Sequence, residues 1–226
     1  MENLTVFDSL GALRCPVCGA AMRQDANGAG HLLCCGTKTH CFDMAKSGYV
    51  HLAPRHSGGG DSREAVRART AFLSAGYYEI AAAALSRLLQ SHLRDGTVVD
   101  AGCGEGYYTN RLCADGQGRY AVMGFDLSQP AVEHAAKAAR RMQLTSSATG
   151  CADYAVASIF ELPLSDASTD AVVNVFAPCA EQEFCRVLKS GGVLIVVGAG
   201  ERHLMGLKQV LYETAHDNAT RADLPQ

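Results

Sequence analysis

The sequence predicts an open, doubly wound α/β domain with a mostly parallel sheet, preceded by a small cysteine-rich unit. Three observations carry that expectation. From Thr97 onward, short apolar runs alternate with stretches of helical period, which implies parallel strands with helices on both faces. A glycine-rich loop follows the first of these runs, where such folds bind ligands. Five of the ten cysteines fall between Cys15 and Cys41, ahead of all this.

Each element has its own signal. Residues 1–56 show no sustained helical or strand period and carry too little apolar residue to fold unaided. Ser57-Gly58-Gly59-Gly60 is a flexible break, dividing a unit at 1–56 from a domain at 61–226. Asp61 and Ser62 can cap a helix that runs to about Ser74 and stops at Gly76. A second helix spans about Tyr78 to Leu93, with Ile80, Ala84, Leu85, Leu88 and Leu89 as its apolar stripe. Buried strands are expected at Thr97–Ala101, Tyr120–Phe125, Tyr154–Ala157, Ala171–Phe176 and Val193–Val197. Helices are expected between them at about Tyr107–Ala114, Gln129–Met142 and Glu181–Leu188, the second with Ser128 as N-cap and Pro130 in its first turn.

Composition excludes several classes. With 48% hydrophobic and 19% charged residues the chain is not disordered. Its longest apolar runs, Ile80–Leu85 and Val193–Val197, are far short of the roughly 18 residues of a membrane span. Met1-Glu2-Asn3-Leu4 lacks the basic-then-apolar order of a signal peptide. A cytoplasmic protein with reduced thiols is the expectation. The net charge of −3 divides into +2 for residues 1–75 and −5 for residues 76–226. That balance argues against indiscriminate nucleic-acid binding, while leaving room for a basic face near the N-terminus.

Cys15-Pro16-Val17-Cys18-Gly19 has the form of a zinc knuckle, in which both thiolates reach one ion and the glycine lets the backbone turn. Cys34, Cys35, His40 and Cys41 then compete for two further places. His40 is the easier choice, with Cys34 or Cys35 as its companion; Cys34 directly follows the apolar His31-Leu32-Leu33 run. A redox pair would open a helix, and Gly19 opens none. The scattered cysteines, Cys103, Cys113, Cys151, Cys179 and Cys185, read as small apolar residues.

In Val98-Val99-Asp100-Ala101-Gly102-Cys103-Gly104-Glu105-Gly106 the details choose the ligand. A dinucleotide fingerprint would need glycine where Tyr107 stands. Asp100 suits a ligand with an ammonium group, such as the methionine end of S-adenosylmethionine. Asp126, ending the next strand, can accept hydrogen bonds from ribose hydroxyls. The pattern is similar to that of class I methyltransferases.

Taken together, the chain resembles the bacterial 23S ribosomal RNA guanine-N1-methyltransferases, a family that includes macrolide-resistance enzymes. The resemblance rests on Cys15-Pro16-Val17-Cys18 and on the run from His40-Cys41-Phe42-Asp43 through Ser47-Gly48-Tyr49-Val50. It continues through Gly60-Asp61-Ser62, Ala68-Arg69, Phe72-Leu73, Ala75-Gly76-Tyr77-Tyr78 and the Gly102–Tyr108 loop. Asp126-Leu127-Ser128, Ala177-Pro178-Cys179 and Arg202-His203-Leu204-Met205 complete it.

The resemblance implies one structural Zn²⁺ on Cys15, Cys18, Cys34 (or Cys35) and His40. It implies that Tyr78, Gly104, Glu105 and His203 line the S-adenosylmethionine site, to which the residues themselves add Asp100, Gly102 and Asp126. The implied substrate is N1 of a guanine in 23S ribosomal RNA, gripped in part by Arg14, Lys38, Lys46 and Arg55; a homodimer is a possible assembly. No catalytic residue is singled out; Glu105, Asp126 and His203 are candidates by proximity alone. The chain departs from the family in three ways. The gap between third ligand and histidine is four or five residues where the family usually has three, and Ser158 stands where many class I methyltransferases have an aspartate near the adenine. The usual fold also adds two strands beyond the helix near His203, so the chain reads as a truncated or divergent member.

Overall fold

A computed structural model of the chain describes residues 10–25, 30–53, 60–146, 150–214 and 216–217. Its centre is a sheet of six parallel strands. These are β4 (Tyr49–His51), β5 (Gly96–Ala101), β6 (Tyr120–Asp126), β8 (Gly150–Val156), β9 (Thr169–Val175) and β10 (Leu188–Val197). Their order is β10-β9-β5-β6-β8-β4, and β7 (Thr145–Ser146) adds a short antiparallel pair to β8. The five strands expected from apolar runs are all present, and the glycine loop leaves the sheet at its centre.

The helices are α1 (Arg63–Ser74), α2 (Glu79–His92), α3 (Tyr107–Gly116), α4 (Gln129–Arg141), α5 (Glu181–Val187) and α6 (Met205–Leu211). Ser62 caps α1 by accepting from Ala65 N–H, and Ser128 caps α4 by accepting from Ala131 N–H, satisfying N–H groups that a helix start leaves open. The buried face of α2 differs from the expected stripe. It consists of Ala82, Leu85, Ser86 and Leu89, whereas Ile80, Ala84 and Leu88 point outward. Leu85 and Leu89 of the expected stripe are thus buried, with small Ala82 and Ser86 completing the face in place of Ile80, Ala84 and Leu88.

Strand alternation splits the core in two. Val98, Val122, Ala171 and Val173 face a layer containing Leu85 and Leu89 of α2, Leu112 of α3, and Val132 and Ala135 of α4. Val99, Ala101, Met123, Phe125 and Val172 face the other way. That second layer includes Phe184 and Val187 of α5, but also Leu13, Cys15, Met22, Leu32 and Cys34 from the N-terminal unit.

The N-terminal unit is an antiparallel ribbon of β1 (Met22–Gln24), β2 (His31–Cys34) and β3 (Cys41–Asp43). It lies over the sheet, and the chain then enters the sheet itself. β4 pairs in parallel with β8, with Tyr49 opposite Tyr154 and Val50 opposite Ala155. Tyr49 packs into the helical layer and Val50 into the other, as period-2 alternation requires. Beyond β4, the N–H groups of Leu52 and Ala53 both donate to Val156 O. The expected break at Ser57–Gly59 lies outside the described residues.

Candidate cofactor and metal sites

The metal-binding group forms where the knuckle meets the ribbon. Gly19, with φ +70°, closes the Cys15–Gly19 turn through an N–H to Cys15 O bond of 2.8 Å. The donor atoms of Cys15, Cys18, Cys34 and His40 all lie within 4.8 Å of one another. Cys18 Sγ to Cys34 Sγ is 3.8 Å; His40 Nδ1 is 3.5 Å from Cys15 Sγ and 3.4 Å from Cys34 Sγ. A tetrahedral zinc ion with Zn–S of about 2.3 Å and Zn–N of about 2.0–2.1 Å requires edges of about 3.8 and 3.6 Å. The four donors therefore fit that ion.

The backbone prepares the Cys34 thiolate. His40 N–H donates to Cys34 Sγ at 3.0 Å, and this bond, ahead of the smaller contributions, brings the thiol down to about 6. Cys35 is exposed and outside the group. β2 alternation explains the choice: Leu32 and Cys34 face the core, and residue 35 follows on the opposite side. Cys41 also points away from the zinc group. With His31 and Asp43 it forms a separate cluster of donor atoms within 4.8 Å.

The second site opens at the carboxyl end of the sheet. A cavity of about 400 Å³ is lined by Tyr78, Gly102, Gly104, Glu105 and Asp126, among others, a volume within the range of about 300–1,000 Å³ usual for ligand pockets. Gly102 has φ +89°, and a Cβ there would lie 2.4 Å from Ala177 Cβ. The glycine thus permits both the turn and the close approach of the loop after β9. Gly104 has φ +53°, and its N–H donates to Asp126 Oδ2 at 3.0 Å. Ser128 N–H donates to Asp126 Oδ1 at 2.7 Å. Two backbone donors hold the carboxylate at the cavity wall, with lone pairs left for ribose hydroxyls.

Five of the seven expected cofactor residues line this cavity; two sit behind its wall. Asp100 is buried and accepts from Thr109 Oγ1 at 2.6 Å. Burial, aided by the charges of Asp126 and Glu105, pushes its carboxyl up from 3.8 to about 7 against the effect of the Thr109 bond. His203 lies behind Tyr78, with Nε2 3.3 Å from Tyr78 Oη. Ser158 accepts from Phe160 N–H and does not line the cavity.

The structure adds residues that sequence reasoning did not assign. Arg69 Nε donates to Glu105 Oε2 at 2.6 Å, and its Nη1 binds Asp61. Arg69 is the cation among the cavity residues, beside the acids Asp61, Glu105 and Asp126. Such a lining suits a ligand carrying ammonium and sulfonium charges together with one carboxylate. Tyr108 Oη, also at the cavity, is buried without a hydrogen-bond partner, and a bound polar ligand would supply one. The residues present fit S-adenosylmethionine. Phe176, with φ +52°, is a non-glycine residue in left-handed conformation at the cavity wall. Strain of this kind costs on the order of 1–3 kcal/mol and collects at functional sites.

Comparisons with known proteins agree with both sites. Residues 99–196 match the family model described as a methyltransferase domain, and residues 13–57 match that described as RlmA, N-terminal, a zinc ribbon. The 23S rRNA (guanine(748)-N(1))-methyltransferase of Streptomyces fradiae is 34% identical over 204 residues, covering 88% of this chain and 67% of that protein. A Micromonospora griseorubida protein, provisionally described as a 23S rRNA (guanine-N(1)-)-methyltransferase, is 36% identical over 216 residues, covering 88% of this chain and 70% of its own. A similarly described Bacillus subtilis protein is 33% identical over 206 residues, covering 88% and 68%. Among solved structures, an S-adenosyl-L-methionine-dependent methyltransferase from Methanococcus maripaludis superposes with a TM-score of 0.55 at 17% identity. It covers 69% of this chain and 74% of that one, which bears on the fold alone.

Three outcomes are expected. Asp126→Ala should weaken S-adenosylmethionine binding by about 1.5–3 kcal/mol, the range of charge-assisted hydrogen bonds; unchanged affinity in calorimetry would remove Asp126 from the site. Cys34→Ser should lose stoichiometric zinc by elemental analysis while Cys35→Ser keeps it, and the reverse result would reassign the ligand.

The third outcome concerns pH. Asp100 ionises from 3.8 in the unfolded chain but near 7 when folded. The folded state therefore holds the extra proton between about pH 4 and 7, and stability falls as pH rises through that window. In urea unfolding without cofactor, Asp100→Asn should gain on the wild type at about pH 8 relative to about pH 5. An equal difference at both pH values would contradict the buried proton.

Proposed function

The chain belongs to the family of 23S ribosomal RNA guanine-N1-methyltransferases with an N-terminal zinc ribbon, and from that premise we propose that it methylates N1 of a guanine in 23S ribosomal RNA. The observation that carries this reading is the pairing, in one chain, of the four-donor zinc group with a methyltransferase cavity, both spanned by the similarity to the relatives. A methyltransferase sheet alone would leave a small-molecule substrate equally open.

When bound, S-adenosylmethionine supplies a methyl group on a sulfonium, and transfer is an in-line displacement whose catalysis is mostly positioning and exclusion of water. The chain's residues divide that work. Asp126 fixes the ribose, Arg69 meets the carboxylate, and Tyr78 with the glycine loop closes around the remainder. Guanine N1 carries a proton at neutral pH that must leave for the product to form. It also lies on the Watson–Crick edge, so the base is taken from a loop or extruded from a pair.

The zinc-bearing unit is the proposed RNA-recognition part, and its metal is structural. Cys15, Cys18, Cys34 and His40 would fill all four positions of a tetrahedral ion, leaving none open for water or substrate. Among its described cations, Arg14, Lys38 and Lys46 are proposed to meet phosphates. No helix among the described residues is long and apolar enough to cross a membrane, and the proposed setting is the cytoplasm.

Methylation at N1 removes Watson–Crick pairing. Incubating unmodified 23S RNA with the protein and S-adenosylmethionine should therefore create a single strong stop in primer extension. Methylation at N7, at N2 or on a ribose oxygen would refute the guanine-N1 assignment while sparing the methyltransferase fold.

A further inference from the structure

Aromatic rings wall the mouth of the cofactor cavity, extending from Tyr78 to Phe72, Tyr77 and Phe176. Tyr78 stands at the centre. Its ring meets Phe72 edge-on at 5.8 Å and Phe176 edge-on at 5.7 Å. Phe176 in turn stacks on His203, with centroids 5.5 Å apart and planes at 27°. On the other flank Phe72 stacks on Tyr77 at 4.9 Å and 23°. Phe72, Phe176 and Tyr77 are 46%, 44% and 71% exposed, although rings this large are normally much more buried.

Phe176 is also held at a backbone geometry it would not choose. Its φ of +52° lies in the left-handed region, which a bulky residue visits only under compulsion. The compulsion is visible on both sides of the turn. Buried Asn174 donates through Nδ2 to Ala101 O at 2.8 Å and to Pro178 O at 3.0 Å. Phe176 N–H donates to Val197 O at 2.8 Å, and Ala177 packs against Gly102 with no room for a Cβ. Strain maintained in this way presents the ring at the end of β9, next to the glycine loop that ends β5.

Resting on the methyltransferase reading above, we propose that this aromatic wall is the seat of the acceptor base, with Phe176 as its stacking platform for an extruded purine. The acceptor atom must come within attack distance of a methyl group held in the cavity, so its base occupies the mouth and not a remote groove. The charged residues of the cavity, Asp61, Arg69, Glu105 and Asp126, belong to the cofactor side. The flat faces of such rings suit a flat neutral base better than a phosphate. An unstacked base recovers on such rings what it loses on leaving its helix.

The test uses the full chain, a 23S RNA fragment as acceptor and S-adenosylhomocysteine as cofactor probe. Phe176→Leu should lower kcat/KM for RNA about ten- to one-hundred-fold, the effect of losing one base–aromatic stack, a clearly larger factor than its effect on S-adenosylhomocysteine affinity in calorimetry. Phe176→Tyr, which keeps a π face, should retain most of the RNA activity. Phe176→Gly removes the strain, so its Tm should equal or exceed that of the wild type while its RNA defect matches Phe176→Leu. With 2-aminopurine at the mapped methylation position, wild-type protein should quench its fluorescence and Phe176→Leu should not. Undiminished RNA methylation by Phe176→Leu would overturn the proposal, and so would an equal loss of cofactor affinity, which would assign the ring's contribution to the cofactor and not to the base. A wild-type protein that methylates no ribosomal RNA would instead overturn the reading on which the proposal rests.

Discussion

A parallel sheet must be covered on both faces, and in this chain one of the two covers carries a four-donor metal-binding group. Helices α2, α3 and α4 close the first face in the ordinary way. The second is closed by α5 together with a three-stranded ribbon whose strands are three or four residues long. A ribbon that short has little core of its own, and metal affinity and folding become one free energy in such units. Two of the donors, Cys15 and Cys34, are themselves members of the buried layer. Bound zinc would therefore tie together a unit whose Leu13 and Leu32 share a buried layer with Val99, Met123 and Phe125.

At the carboxyl end of the sheet the constraint is electrostatic. Three acids and one arginine converge on the cavity, and like charges so close must be offset by something. Within the chain the offset comes from Arg69, shared between Asp61 and Glu105, and from the backbone N–H groups on Asp126. Asp100 solves the same problem differently. Buried behind the loop, it keeps its proton to near neutral pH and holds Thr109 at the start of α3. Its position in the motif suggested ligand contact, whereas its burial makes it a support for the glycine loop.

Much of this was legible in the sequence because the signals were local. The β5 to β6 passage, the caps at Ser62 and Ser128, and the Cys15–Cys18 knuckle each depend on residues a few positions apart. What escaped depended on distant partners. Tyr49-Val50-His51 is too short to announce a strand, and only pairing with β8 makes it one. Ile80 and Leu88 looked like core because apolar period was counted, while the buried face is completed by the small residues Ala82 and Ser86. Arg69 stood within a quoted motif, yet its role needs Asp61 and Glu105 folded around it. Phe176 could not be read at all, since a left-handed φ at phenylalanine has no sequence signature. Cys34 over Cys35 was a lean that strand alternation turns into a reason.

The two sites are joined by a short mechanical path. The ribbon that zinc orders runs directly into β4, which lies beside β8 in parallel register. Leu52 and Ala53 bind Val156 O at the end of β8, and Val156 lies opposite Asp126 at the end of β6. Ala157 N–H then donates to Asp126 O. Hydrogen bonds between neighbouring strands thus join β4, into which the ribbon runs, to the strand end that carries Asp126. A ribbon displaced from the sheet would pull on β4 first and on the strand end behind Asp126 next. An arrangement of this kind places the zinc ribbon and the cofactor cavity in one frame. Positional accuracy is what methyl transfer demands, since a misplacement of about 1 Å at the reacting atoms can cost a hundredfold in rate.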